Sequence, residues 1–288
     1  MAFLHMRQRF FDDTGASIPF RLRDKRNTQD DPFDEFLAAQ VVANLPGVTC
    51  AKAGGPLITP DMALYRAESC AGANRTDLLD DIDRIVSIEV KKLERTQQGN
   101  VARASGLDYN TTPPCGRVRV YDAAGTALDI RAFYLFVCLE KPATDPQGVV
   151  ITALCLIDGN ALNEDFELYL SIIGEREKRI GLGSYGDGAD RARPMLIFAN
   201  PLGVPELSRN ATLIHPDVDL PRHEPDVQLA YRLHRSVPGD GLRSFYCYRL
   251  RSDLAQDWEV GDLRDPFPTP VRDARTRPRG RFKLPFRL

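Results

Sequence analysis

Two oppositely charged side chains lie close together on a stretch that otherwise has the character of a buried strand. The sequence SIEVKKLER covers residues 87–95, and side chains at i and i+2 of a strand point to the same face. Glu89 and Lys91 therefore share a face. The dipeptide Pro60-Asp61 supplies a further carboxylate, 28 residues before Glu89. The charged pair indicates either a solvated strand edge or the rim of a site that uses both charges.

A pair of carboxylates beside a lysine is suited to metal-assisted phosphodiester hydrolysis. Two neighbouring carboxylates repel each other unless a cation lies between them. Mg²⁺ takes few protein carboxylates and completes its shell with waters and phosphate oxygens. The ion lowers the pKa of a bound water and stabilises the charge that builds on the phosphorus centre. A lysine on the same face can orient that water or offset the charge of the phosphate.

In order and spacing, residues 31 to about 94 resemble the PD-(D/E)xK nuclease superfamily. The signature of that superfamily is a Pro-Asp, a spacer and an acid-x-Lys, which here read Pro60-Asp61 and Glu89-Val90-Lys91. The resemblance implies that these elements lie on adjacent strands of a small α/β core. It also implies that Asp61, Glu89 and Val90 bind Mg²⁺, and that Asp61, Glu89 and Lys91 are catalytic.

The resemblance leaves the roles of three further charged residues open. An N-terminal helix of the superfamily can contribute another acid, which makes Glu35 a fourth candidate catalytic residue. A glutamate in the first turn of a helix is also favoured by the helix dipole alone. Glu68 could replace Glu89 in a swapped arrangement. Lys92 points to the opposite face from Lys91, where it is either structural or directed at phosphate.

Two polar segments are candidates for contact with DNA. Residues 103–119 follow the proposed catalytic strand and are rich in Ser, Asn, Thr and Arg, which bind phosphates and base edges. The sequence GLGSYG at 181–186 matches G-x-G-x-x-G without the flanking strand and helix of a dinucleotide site, so we interpret it as a loop. The first segment could instead be a Pro-rich loop whose polar residues only satisfy its own backbone, and the second an exposed flexible connector. The candidate DNA-binding residues are Arg103, Asn110, Thr111, Arg117, Arg191 and Arg193.

The C-terminal residues 271–288 form a basic tail. They contain seven arginines and lysines against one acid, a net charge of +6 in a chain whose formal charge is −2. Such a tail favours salt-sensitive attraction to phosphates, and the alternative is a tail that is merely solvated.

Composition predicts a soluble protein with reduced thiols. Of the 288 residues 43% are apolar and 27% charged, as in ordinary globular proteins. No apolar run approaches the roughly 20 residues that span a bilayer, and the N-terminus is charged too early for a signal peptide. The six cysteines contain no CxxC pair, which argues against a zinc site and a disulfide framework. We therefore expect a cytoplasmic location and no membrane partner.

The predicted elements alternate between helix and strand from residue 31 to residue 200. This alternation favours an α/β fold with a restriction-endonuclease-like core, in which helices flank a mixed central sheet. Additional strands and the basic tail follow at the C-terminus. We predict an N-terminal arm over 1–30, a catalytic and DNA-binding domain over 31–260, and a basic tail over 261–288. The helix at 31–45 is predicted to begin with Asp31 as N-cap and Pro32 in its first turn.

The function that these features favour is Mg²⁺-dependent cleavage of double-stranded DNA by a type II restriction endonuclease. Enzymes of this kind usually act as homodimers on palindromic sites, so we expect a homodimer on that resemblance. The alternatives are a structure-selective or repair nuclease of the same superfamily, and a DNA-binding protein that has lost catalysis.

Overall fold

The structure is a computed structural model, and it describes residues 1–26, 31–53, 60–95, 101–105, 116–142, 145, 147–164, 206, 210–237 and 241–264. These residues form an α/β arrangement in which a few helices flank one large mixed sheet, as the alternation of elements predicts. The helices are α1 (Ala2–Phe10), α2 (Pro32–Asn44), α3 (Ala67–Cys70) and α4 (Leu220–His223). Residues 159–164 are also helical, and 3₁₀ turns occupy Arg75–Leu78 and Arg251–Asp253.

Eleven strands of the described residues belong to the sheet, and nine of them follow the order β1-β2-β3-β6-β7-β8-β10-β9-β11. Strand β4 pairs with β3, and β5 pairs with β6. The pairs β3–β6, β7–β8 and β9–β11 are parallel, and the other pairs are antiparallel. The strands are β1 (Thr49–Lys52), β2 (Met62–Tyr65), β3 (Ile85–Arg95), β4 (Val101–Ser105), β5 (Arg117–Tyr121), β6 (Ala127–Glu140), β7 (Val150–Asp158), β8 (Asn210–His215), β9 (Val227–Val237), β10 (Gly241–Leu250) and β11 (Gly261–Arg264).

The centre of the sheet consists of strands that are buried on both faces. β6 and β7 have nearly continuous apolar sequences, FYLFVCL and VITALCLI, rather than an alternating pattern. Strands with such runs need cover on both sides. Helices α1 and α2 supply the cover on one face, and Ala161 and Leu162 pack into a second, smaller core. The neighbouring strand β3 pairs in parallel with β6 from Ser87 to Arg95.

The N-terminal segment, predicted as an arm, contributes a helix to the larger core. Phe3, Met6 and Phe10 of α1 are buried there. The side chain of Arg7 is also almost completely buried, and its guanidinium binds both carboxylate oxygens of Asp253. This ion pair joins the first helix to the chain that follows β10.

Helix α2 begins as its sequence predicts. Asp31 is the N-cap, its carboxylate accepts a hydrogen bond from the backbone N–H of Phe33 at 3.2 Å, and Pro32 opens the helix. Phe33, Leu37 and Val41 pack against the sheet. This packing directs the polar first turn of α2 towards the middle of β3.

Candidate active site at the β2 and β3 strands

The register of β2 and β3 places Asp61 beside Glu89. Met62 pairs with Ile88 in the antiparallel ladder, so Asp61, immediately before β2, occupies the position next to Glu89. The Asp61 Oδ2 atom accepts a hydrogen bond from the backbone N–H of Val90 at 2.7 Å. The two carboxylates predicted to share a site are therefore neighbours across one strand pair.

Neither β2 nor β4 pairs with the edge of β3 at this point. Strand β2 pairs with β3 as far as Ile88, and β4 pairs with the same edge from Lys92 onward. Among the strands that the structure describes, none pairs with residues 89–91 on this edge. A strand residue directs its N–H and C=O to the same side. Because the Val90 N–H points to Asp61, the Val90 carbonyl also points into this gap, which places it with the carboxylate as a possible metal ligand.

Glu89 and Lys91 contact each other directly. The Lys91 Nζ atom donates to Glu89 Oε1 at 2.8 Å, and the two side chains are only 16% and 17% exposed. The second carboxylate oxygen, Glu89 Oε2, is buried and has no hydrogen-bond partner among the residues that the structure describes. Leaving such an oxygen unpaired costs on the order of 1–3 kcal/mol. A buried anionic oxygen without a donor is a position that a cation would fill.

The electrostatics of Asp61 also favour a positive charge nearby. Burial, and after it the neighbouring charge of Glu89, together raise the pKa of the Asp61 carboxyl to about 7. The Val90 N–H and the Lys91 ammonium act in the opposite direction without cancelling the rise. Asp61 therefore holds a proton well above the usual range of an aspartate. A divalent cation between Asp61 and Glu89 would reverse this effect.

A second charged cluster lies behind the first, on the α2 side of β3. The Lys92 side chain is buried, and its Nζ atom donates to Asp34 Oδ1 at 3.1 Å and contacts Asp31 Oδ2. Burial raises the pKa of Asp34, and Lys92 lowers it. The negative charge of Asp34 is one of the causes of the raised pKa of Asp61. Lys92 therefore has a structural partner in the first turn of α2, one of the two roles left open for it.

Glu35 points away from this cluster. Its carboxylate is 44% exposed and binds the guanidinium of Arg23, which lowers the pKa of Glu35. The helix acid whose charge reaches Asp61 is Asp34, one position earlier. Glu68, the possible substitute for Glu89, is exposed in α3.

The predicted DNA-binding residues are only partly within the described chain. Arg117 is exposed at the start of β5 and forms an ion pair with Asp80. Arg103 lies on β4, where it is the register partner of Glu94. The predictions for Asn110, Thr111, Arg191, Arg193 and the tail over 271–288 fall outside the described residues.

Sequence reasoning missed the involvement of Asp34 and the pairing of Lys92. A signal was present, because Asp31 and Asp34 are three residues apart and share one face at the start of a helix. A lysine on the apolar face of β3 also requires an acidic partner. The structure supplies that partner from the helix whose start the sequence located correctly.

No group of three or more His, Cys, Asp or Glu side chains in the described chain is arranged to hold a metal. Nor is any helix of that part long and apolar enough to cross a membrane. A scan against protein-family models finds no match, and searches of curated proteins and of solved structures also find none. Function must therefore be argued from the residues.

Proposed function

We propose that the chain is a Mg²⁺-dependent endodeoxyribonuclease of the PD-(D/E)xK type, with the activity of a type II restriction endonuclease. The observation that carries the proposal is the juxtaposition of Asp61, Glu89 and Lys91 at the β3 edge, between the stretches that pair with β2 and β4. Helix α2 precedes these strands, which is consistent with a restriction-endonuclease-like core. The acid-bearing elements also follow one another along the chain in the order of the PD-(D/E)xK superfamily: a helix, the Pro-Asp and then the acid-x-Lys.

The residues fit a Mg²⁺ ion. Asp61 and Glu89 would supply carboxylate oxygens, and Val90 would supply its backbone carbonyl. Mg²⁺ commonly takes one or two protein carboxylates and leaves its other positions to water and phosphate, so a cluster of three acidic side chains is not needed. Two observations favour a cation there: Glu89 Oε2 has no hydrogen-bond partner within the described part of the chain, and the pKa of Asp61 is raised. The ion, when bound, lowers the pKa of a water and stabilises charge on the phosphate.

Each side chain has a separate task in this proposal. Asp61 must lose its proton to act as a ligand, so we expect activity to rise with pH through the neutral range. Lys91 is restrained by its bond to Glu89, which holds the ammonium at the carboxylates instead of leaving it to solvent. There the ammonium can orient the attacking water and offset the negative charge of the phosphate. The Lys92–Asp34 ion pair lies behind these side chains, on the α2 side of β3.

The proposed partners are double-stranded DNA and a second copy of the chain. A homodimer would bring two active sites to the two strands of a palindromic sequence, and this part rests on the resemblance. We also propose a cytoplasmic location. The described cysteines, Cys50, Cys70, Cys138, Cys155 and Cys247, are free thiols, as expected in a reducing compartment.

Incubation of the full chain with supercoiled plasmid and Mg²⁺ tests the proposal. Discrete bands are the expected result and identify a site-specific endonuclease. Smearing or nicking at branched junctions would instead identify a repair or structure-selective nuclease of the same kind. If wild-type protein binds DNA without cutting it under any divalent cation, the catalytic proposal fails and a binding protein remains.

A further inference from the structure

A serine, a histidine and an aspartate from three neighbouring strands form a continuous hydrogen-bonded row. The hydroxyl oxygen of Ser244 on β10 lies 2.9 Å from His234 Nδ1 on β9. The other ring nitrogen, His234 Nε2, lies 3.1 Å from Asp262 Oδ1 on β11. An activated nucleophile is recognised by its geometry: it lies within hydrogen-bonding distance of a base, and a third group hydrogen-bonds to that base and orients it.

The row determines which nitrogen of the neutral imidazole carries the proton. An ionised carboxylate only accepts hydrogen bonds, so Nε2 is the protonated nitrogen and donates to Asp262. The hydrogen bond from His234 lowers the pKa of Asp262, which keeps this carboxylate ionised at neutral pH. The lone pair of Nδ1 therefore faces Ser244, whose hydroxyl must donate to it. Relative to the serine protease arrangement the two ring nitrogens exchange roles, and the chemistry of the row is the same.

The row is held by the sheet rather than by loops. Ser244 and His234 are direct cross-strand partners in the β9–β10 ladder, and β11 pairs in parallel with β9 on the other side. Ser244 is exposed, whereas the His234 side chain is only 14% exposed. The guanidinium of Arg232 lies 3.6 Å from Asp262 Oδ1 and adds a positive charge at the row. The nucleophile is thus open to solvent, and its base is sheltered.

We propose that Ser244 is a catalytic nucleophile for acyl transfer from small carboxylic esters, with His234 as its general base and Asp262 as the positioning residue of the imidazole. The Ser244 oxygen forms a bond to the acyl carbon, and its proton passes to His234 Nδ1. The bond between the acyl carbon and the ester oxygen breaks, and the departing oxygen takes the proton from His234. Water then attacks the acyl-serine, releases the carboxylic acid and restores Ser244. This site is separate from the Asp61 site and does not depend on the proposed nuclease function.

The test uses the full chain with p-nitrophenyl acetate in EDTA, so that metal-dependent chemistry is absent. Release of p-nitrophenolate is followed by absorbance, and the acetylated residue is located by peptide mass spectrometry. We expect acetylation at Ser244 and its complete loss in Ser244→Ala. His234→Gln should slow acylation on the order of 100-fold, the usual contribution of a general base. Ser252→Ala, which changes an exposed serine of the 3₁₀ turn at Arg251–Asp253, should react like wild type.

Asp262→Asn separates positioning from a structural role. Without the carboxylate the protonated imidazole is less stable, so the rise of the acylation rate with pH should move to lower pH while the maximal rate falls. A merely structural role would change the amount of folded protein and leave that pH dependence in place. The proposal is overturned if wild type is acetylated at Ser244 no faster than at Ser252, or if the label falls on other residues and Ser244→Ala reacts at the wild-type rate.

Discussion

Replacement of Asp61 by asparagine should stabilise the protein at alkaline pH. The pKa of Asp61 rises from 3.8 to about 7 on folding, chiefly because the carboxyl is buried and next to Glu89. A tenfold change in proton affinity corresponds to about 1.4 kcal/mol, so the ionised carboxyl destabilises the fold by roughly 4 kcal/mol at most. Asparagine is neutral, and its side-chain oxygen can still accept the hydrogen bond from the Val90 N–H.

The pH dependence of this effect has a definite sign. Below about pH 4 the carboxyl is protonated in the folded and unfolded states, so ionisation of Asp61 contributes nothing. Between about pH 4 and pH 7 only the folded state keeps the proton, so wild-type stability falls as pH rises. Above pH 7 the loss is complete. The gain in Asp61→Asn should therefore grow from about zero at pH 4 to roughly 2–4 kcal/mol at pH 8.

Thermal unfolding in EDTA, followed by circular dichroism between pH 5 and pH 8, measures the difference. For a chain of this size each kcal/mol moves the Tm by roughly 2 °C, so a gain of about 4–8 °C is expected at pH 8. The matched control is Glu35→Gln, because that acid is paired with Arg23 and its pKa is lowered. The control should give no gain. An Asp61→Asn variant that is no more stable than wild type at pH 8, or equally stabilised at all pH values, refutes the reasoning.

Three further predictions concern the supports of the site and the tail. Lys92→Met leaves the partly buried Asp34 without its cation, and should lower the free energy of unfolding by about 2 kcal/mol in urea titration; an unchanged midpoint would contradict this. Arg7→Met should lower the free energy of unfolding by about 3 kcal/mol, because it leaves the buried carboxylate of Asp253 without its cation. The double variant with Asp253→Leu should recover most of this loss, and equal instability of the single and double variants would argue against the ion pair. Deletion of 271–288 should flatten the salt dependence of DNA binding, and an unchanged slope would show that the tail takes no part.

The elements with local signals could be predicted from the sequence. Asp31 and Pro32 mark the start of α2, and the nearly continuous apolar sequence VITALCLI is typical of a buried strand such as β7. The proximity of Asp61 and Glu89 was expected from the resemblance alone, because the sequence of neither strand specifies the register between the two. The pairing of β2 with β3 confirms that they are neighbours.

The remaining features depend on contacts between distant parts of the chain. The charged residues of the N-terminal segment suggest a solvated arm. Arg7 is nevertheless buried, because its guanidinium forms an ion pair with Asp253, which lies 246 residues later in the sequence. Helix residues one position apart differ by about 100° in direction, so packing decides that Asp34 rather than Glu35 faces the site. The row of Ser244 with its histidine and aspartate has no local motif, because three separate strands contribute one residue each.

The nuclease proposal depends most directly on Lys91, because its ammonium can serve catalysis without binding the metal. Plasmid cleavage in Mg²⁺ should be compared for wild type, Lys91→Met and the control Lys52→Met, with DNA affinity measured in parallel. The account predicts that Lys91→Met binds DNA nearly as well as wild type while its cleavage rate falls on the order of 100-fold or more, and that Lys52→Met cleaves normally. Cleavage by Lys91→Met at the wild-type rate would contradict the assignment of the active site.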